Sequence, residues 1–226
     1  MGLHPDIPRR TQIERGADGR RYELSRIRLA DGSETTVYVA VHPRESTRVR
    51  VACFAEAARL DHWCAAAGQP EARSCVHVEP DGMVTVAARG EIAAAPAGDL
   101  VQAGPRLVVD GEVVVSDEDP EGFSAAAGQF DSDITAERHP RCALGLNEDE
   151  LFAVCCDGRR TGVDAGLDLP ELARLLLSLG AADAINLDGG GSATLVHRGH
   201  LLNRPYSSVD QPGPESRPVV TALLFE

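Results

Sequence analysis

Apolar residues in this chain come in short runs separated by polar, glycine-bearing breaks, and the early runs alternate. Tyr22 to Leu29, Thr35 to Val41 and Arg48 to Ala52 each read as a strand. The run Thr36-Val37-Tyr38-Val39-Ala40-Val41 has the β-branched and aromatic content that suits a pleated surface. Asp31-Gly32 between the first two is a hairpin signal, so the opening predicts an antiparallel meander. Residues 1–20 are polar and predict a loose tail ahead of a single domain over 21–226. Glu56 to Ala67 predicts a helix, with Ala57, Leu60 and Cys64 at helical spacing and Gly68 as its stop. Further strands are predicted at Cys75 to Val78, Met83 to Ala87, and Leu107 to Val115 around the turn Asp110-Gly111. Ser116 to Gly128 is acidic and predicts a surface loop.

The last third is sharper. Leu151-Phe152-Ala153-Val154-Cys155-Cys156 is a continuous apolar run that stops at Asp157-Gly158. A helix follows: Asp168 and Glu171 are spaced as a capping box, and Leu172, Leu175, Leu176 and Leu179 form one apolar face, closed by Gly180. Ala184 to Leu187 is a second short strand, ending at Asp188-Gly189. Strand, helix, strand predicts a parallel pair joined by a crossover. Arg198-Gly199 marks a late hairpin, and Val219 to Phe225 a final strand. The expected fold class is α+β: a mixed β-sheet with flanking helices, containing that parallel unit near the C-terminus.

Composition narrows the function. The formal net charge is −13, which argues against nucleic acid as a partner. All 22 basic residues are arginine, so lysine Schiff bases and lysine phosphate loops are excluded. No run approaches the ~18 apolar residues of a membrane span, and no apolar segment follows the polar N-terminus. The expectation is a cytoplasmic protein without a membrane partner. The six cysteines include no C-x-x-C pair and read as buried thiols. None of the seven histidines has ligand spacing. Asp117 to Gly122 begins like a calcium loop, but Gly128 stands where the chelating Glu belongs. No metal and no cofactor is expected, and the oligomeric state is open.

Candidate chemistry gathers where the two strands end. In an open α/β sheet, ligands bind beyond the carboxyl ends of parallel strands. Asp157 and Asp188 each follow such an end, so both emerge on one side, as the two carboxylates of glycosidic acid/base work require. Gly189, Gly190 and Gly191 place flexible backbone there, suited to close approach or an anion nest, and Ser192 adds a hydroxyl. Arg138-His139-Pro140-Arg141 offers guanidinium forks for phosphate.

These residues also resemble a known family. Arg138-His139-Pro140-Arg141, Cys155-Cys156-Asp157-Gly158-Arg159, Leu169 to Gly180, the string Asn186-Leu187-Asp188-Gly189-Gly190-Gly191-Ser192, Asn203-Arg204-Pro205 and Arg217-Pro218-Val219 look like the phosphodiester glycosidase family. The resemblance runs from about Leu100 to Phe225 and includes Gln102 to Pro105 and Asp110-Gly111. It implies hydrolysis of a sugar–phosphate glycosidic bond, with Asp157 and Asp188 catalytic. It also implies that Arg138, Arg141, Asn186, Gly189, Gly190, Gly191, Ser192, Asn203 and Arg217 bind a small-molecule or glycan substrate bearing phosphate. One departure stands out: family members carry a segment ending in Gly-Gly-Phe-Phe, whereas here Gly68 to Ser74 runs straight into Cys75. That departure grounds an alternative, a catalytically impaired glycan or phosphoglycan binding domain of the same fold.

Overall fold

A computed structural model of the chain describes residues 11–53, 73–116, 121, 123, 135–205, 219 and 221–226. The helix expected at Glu56 to Ala67, most of the Gly68 to Ser74 link, most of the acidic loop and Arg217 lie outside the described residues.

The opening meander forms. Strand β1 (Thr11–Arg15) pairs with β2 (Arg21–Arg28), and β2 with β3 (Glu34–Pro43), all antiparallel. β1 falls in the stretch expected to be a loose tail, where a single isoleucine among polar residues gives no apolar alternation to read. The next strand, β4 (Val49–Cys53), leaves the meander and pairs instead with the last one, β15 (Thr221–Phe225). A three-stranded sheet joins β5 (Ser74–Val78) to β6 (Val84–Ala88) and β7 (Asp99–Gln102). The large sheet continues past β3 through β11 (Glu150–Cys156), β10 (Arg141–Leu146), β12 (Asp183–Asn186), β8 (Arg106–Val109) and β9 (Glu112–Val113). Strands β13 (Val196–His197) and β14 (His200–Leu201) make the late hairpin.

The expected α+β class is overturned. The described residues are mostly strand, they hold one α-helix, α1 (Leu169–Leu179), and every strand pairing among them is antiparallel. The parallel strand–helix–strand unit fails because β10 sits between β11 and β12, antiparallel to both. A tight turn joins β10 to β11, with Asn147 Oδ1 accepting from the Asp149 and Glu150 N–H groups, so this hairpin closes locally. The chain then crosses over β10 through α1. Gly145 permits that crossing, since a Cβ there would lie 2.9 Å from Leu176 Cδ2 and 3.1 Å from Ala181 Cβ. β11 and β12 still run in the same direction, and that preserves the shared end on which the site depends.

α1 forms as the spacing predicts. Asp168 Oδ1 accepts from the Glu171 N–H at 2.7 Å, Glu171 Oε2 accepts from the Asp168 N–H at 3.1 Å, and Gly180 closes the helix at φ 100°. Leu172, Leu175 and Leu176 pack on Val37, Val39, Val41, Phe152 and Val154 on one face of the large sheet. Its other face receives the β4–β15 pair and the β5–β6–β7 sheet through Val49, Val76, Val86, Leu144, Leu151 and Ile185. Each fully buried Val, Leu or Phe contributes about 1.5–3 kcal/mol to holding these layers together.

Beside the second layer, His42 is only 3% exposed. It packs edge-on to Tyr22, with centroids 5.8 Å apart, and stacks on Phe225 at 4.8 Å. Burial, then the charge of Arg20, holds its pKa down at about 4, against 6.5 ordinarily. A depressed folded pKa leaves its stabilisation intact above pH 6.5. It is lost as pH falls towards 4, because the unfolded chain binds a proton the folded one refuses. At about 1.4 kcal/mol per unit, the loss attributable to His42 is about 3 kcal/mol. Urea unfolding at pH 7 and pH 4 of wild type beside His42→Leu checks this: the mutant should lack that increment. An identical pH slope in both chains would refute it.

Candidate functional site

β11 and β12 end, and β10 begins, at the same end of the large sheet, so the topology delivers Asp157, Asp188 and Arg141 to one place. Asp157 is 1% exposed and fixed on all sides. Its N–H donates to the Thr36 carbonyl (3.0 Å), and its own carbonyl accepts from Thr35 Oγ1 (2.7 Å). Carboxylate Oδ1 accepts from the Arg204 N–H (2.7 Å) and Oδ2 from the Tyr38 hydroxyl (3.2 Å). Burial raises the Asp157 pKa, against the lowering effect of the Arg204 N–H. Burial and the Asp157 charge push the Tyr38 phenol upward, so Tyr38 stays protonated and donates. Asp157 therefore pins the Asn203–Pro205 segment to the sheet.

Asn203, itself 3% exposed, extends this connection. Its Nδ2 donates to the Ala193 carbonyl and its Oδ1 accepts from the Leu195 N–H, both at 2.8 Å. Those residues directly follow the glycine loop. The loop turns against Pro140: the Gly190 N–H donates to the Pro140 carbonyl (2.8 Å), and a Cβ on Gly189 would stand 2.7 Å from that oxygen. Gly190 takes φ 58°, and Gly190–Ser192 form one 3-10 turn in which the Ser192 N–H donates to the Gly189 carbonyl. Gly191 is buried within it. The Gly190 and Ser192 N–H groups thus donate to main-chain carbonyls, Pro140 and Gly189 respectively. Asp188 is exposed at the head of the same loop.

Asn186 is buried beneath, at 4% exposure. Its Nδ2 donates to the Gly104 carbonyl (2.9 Å), and its main chain exchanges hydrogen bonds with Gly104 and Pro105 across their cis peptide. Its Oδ1 is buried without a partner among the described residues. That atom is a candidate for hydrogen bonding to a ligand, since a buried carbonyl left unsatisfied costs about 1–3 kcal/mol.

The arginines divide. Arg141 is 3% exposed, with Nε on the Leu167 carbonyl (3.0 Å) and Nη2 on the Glu137 carbonyl (2.7 Å), and its Cδ lies 3.8 Å from the Cβ position of Gly189. It lies under the glycine loop. Arg138 is engaged elsewhere: it grips Glu171 at both carboxylate oxygens (3.0 and 2.6 Å) and Asp31 Oδ2 (2.7 Å), clamping the N-terminus of α1 to the β2–β3 turn. Glu171, then Asp31, holds its pKa above the ordinary value.

Residues not nominated from the sequence also come into the site. Arg159 takes φ 57°, a left-handed conformation rare for a side chain of this kind. Its guanidinium carbon lies 3.6 Å from the Cβ position of Gly190. The motif Asp157-Gly158-Arg159 was the available signal. His139 Nδ1 accepts from Arg159 Nε at 3.3 Å, and burial, then the charges of Arg141 and Arg159, lower its pKa. Nδ1 is therefore an acceptor on a neutral ring. Tyr38 also went unnominated, since only the β3–β11 register places it opposite Cys155. Among the described residues no group of three or more His, Cys, Asp or Glu could hold a metal ion.

Comparison with known proteins bears on the family and the fold. The sequence model of the phosphodiester glycosidase family matches residues 32–226. A solved structure, the zebrafish N-acetylglucosamine-1-phosphodiester alpha-N-acetylglucosaminidase catalytic domain auto-inhibited by its pro-peptide, superposes with a TM-score of 0.64 at 18% identity, over 95% of this chain and 86% of that one. A hypothetical protein from Synechocystis gives a TM-score of 0.64 at 16% identity, over 97% of this chain, which spans 64% of the Synechocystis one. At those identities the likeness establishes the shared fold. No curated protein sequence matches the chain. With the match extending from Gly32 to Glu226, through both Asp-Gly turns and the glycine loop, the chain belongs to the phosphodiester glycosidase family.

Proposed function

We propose that this chain hydrolyses the glycosidic bond between a sugar and a phosphate in a phosphodiester substrate. The observation that carries the reading is the convergence of Asp157, Asp188, the Gly189–Ser192 loop and Arg141 at one end of the sheet, bound together through Tyr38, Arg204, Asn203 and Pro140. Family membership supports the same reaction class. A phosphate is already a good leaving group, so stabilising its charge matters more than protonating it. The Arg159 guanidinium beside Gly190 supplies that stabilisation, and Arg141, packed beneath Gly189, adds its positive charge from below. Asp188 is the exposed carboxylate, and we assign it the contact with substrate: taking a proton from the attacking water as the sugar–oxygen bond breaks. Both oxygens of Asp157 already accept hydrogen bonds from the protein, which fits a positioning residue that holds Asn203–Pro205 in place.

The test is sugar release from a panel of phosphodiester-linked sugars, nucleoside diphosphate sugars and p-nitrophenyl glycosides. The phosphodiesters should be hydrolysed and the p-nitrophenyl glycosides, which lack phosphate, much less so. Saturable binding of a sugar phosphodiester with no product would instead favour the binding-domain reading raised by the short link after Gly68, most of which lies outside the described residues.

A further inference from the structure

We propose that Cys142 and Cys155 are a modification site: a dithiol that closes to a cross-strand disulfide when exposed to a low-molecular-weight disulfide. The two residues are register partners on β10 and β11, and their Sγ atoms are 3.4 Å apart. Directly opposed Cα atoms on antiparallel strands lie about 4.5–5.5 Å apart, and a disulfide spans about 4.4–6.8 Å. The backbone is thus already in place. Side-chain rotation alone must bring the sulfurs from contact to the bonded distance of about 2.05 Å. Both cysteines are free, Cys155 buried and Cys142 half-buried, so an oxidant reaches the pair through Cys142. Cys156, next in sequence, does not compete: successive strand residues point to opposite faces, and its Sγ lies against the His139 carbonyl.

The chemistry balances with a small disulfide such as glutathione disulfide as the oxidant. Cys142, as thiolate, attacks one sulfur of the reagent, forming a mixed disulfide and expelling one glutathione thiolate, which takes up the proton Cys142 released. Cys155 then gives up its proton and attacks Cys142 Sγ, closing the bridge and releasing the second glutathione. The reagent is reduced to two thiols, and the two cysteines are oxidised by two electrons. The hydrogen bond with Cys142, then burial, pushes the Cys155 thiol up, which slows its attack in the second step.

The location gives the bridge a consequence. Tyr38, Cys155 and Cys142 form one register row across β3, β11 and β10. Tyr38 donates to Asp157, and the Cys142 carbonyl accepts from the Leu187 N–H just before Asp188. The bridge therefore joins the strand that ends at Asp157 to the strand that anchors the start of the glycine loop.

The experiment incubates the native chain with glutathione disulfide, blocks remaining thiols in denaturant, and maps linked peptides by mass. A Cys142–Cys155 peptide should form, disappear with dithiothreitol, and be absent from a folded Cys142→Ala chain. Native wild type that retains both thiols at these positions after equilibration would overturn the proposal. So would linkage of Cys155 to any cysteine other than Cys142.

Discussion

Asp188→Asn is expected to lower sugar release about 100- to 10,000-fold, the range for removing a general base, with little change in the fold. The residue is exposed at the head of the loop, after β12 has ended. An isosteric change at such a surface position usually alters stability by no more than about 0.5 kcal/mol. Two contacts that hold the loop, the Gly190 N–H on the Pro140 carbonyl and the Leu187 N–H on the Cys142 carbonyl, are main-chain, and the substitution leaves them alone. The loss should therefore appear in kcat, while the melting temperature stays within a degree or two. Wild-type turnover in the Asp188→Asn chain would remove Asp188 from the mechanism. A matching loss of folded protein would mean the carboxylate is structural.

The second large effect falls on Gly158→Ala. Here the chain leaving β11 crosses two other backbone segments. A Cβ on Gly158 would stand 2.6 Å from the Pro140 nitrogen, 2.9 Å from Gly166 Cα and 2.9 Å from the His139 carbonyl carbon. All three are backbone atoms, which cannot swing aside as the tip of a long side chain can. We expect destabilisation of about 3 kcal/mol, the upper part of the overpacking range, and a melting temperature lower by about 10 °C for a domain of this size. Gly32→Ala is the control: its φ of 84° is left-handed, as that of Gly158 is not, and a Cβ there meets nothing within 4 Å. Only backbone strain of about 1–2 kcal/mol applies to it. Similar losses in the two mutants, by thermal melting, would show that crowding at Gly158 is relieved more easily than the contacts suggest.

Those crossings also explain what was legible in the sequence. Elements that close locally were readable: the Asp31-Gly32 hairpin, α1 with its Asp168–Glu171 box, and the Arg198-Gly199 turn all form where local chemistry places them. Long-range partner choice was not. Cys142 to Leu146 was visible as an apolar run, but nothing in it says that it inserts between β11 and β12, and without that the helix between those strands reads as a parallel crossover. For the same reason β4 was assigned to the meander, although it pairs with β15. The shared end of β11 and β12 survives the change in the sheet. The inference that Asp157 and Asp188 emerge together needs only that their strands run the same way, and an intervening antiparallel strand does not alter that. What escaped were partners fixed by tertiary contact. Tyr38 reaches Asp157 across the β3–β11 register, and Arg138, which looked like a phosphate ligand, finds Glu171 and Asp31 already in reach.

The pairing of β4 with β15 has a consequence for how the chain is made. A ribosome delivers Val49 to Cys53 early and Thr221 to Phe225 late. Until those later residues emerge, nascent β4 is an open strand edge, and Val49 and Val51 lack the cover of Leu223 and Phe225. Such a long-range closure is slow compared with hairpin formation. During that interval the half-made protein presents the surface on which nascent chains aggregate or recruit chaperones. Yield in cells should therefore depend on the speed of translation between β4 and β15 as well as on the stability of the finished fold.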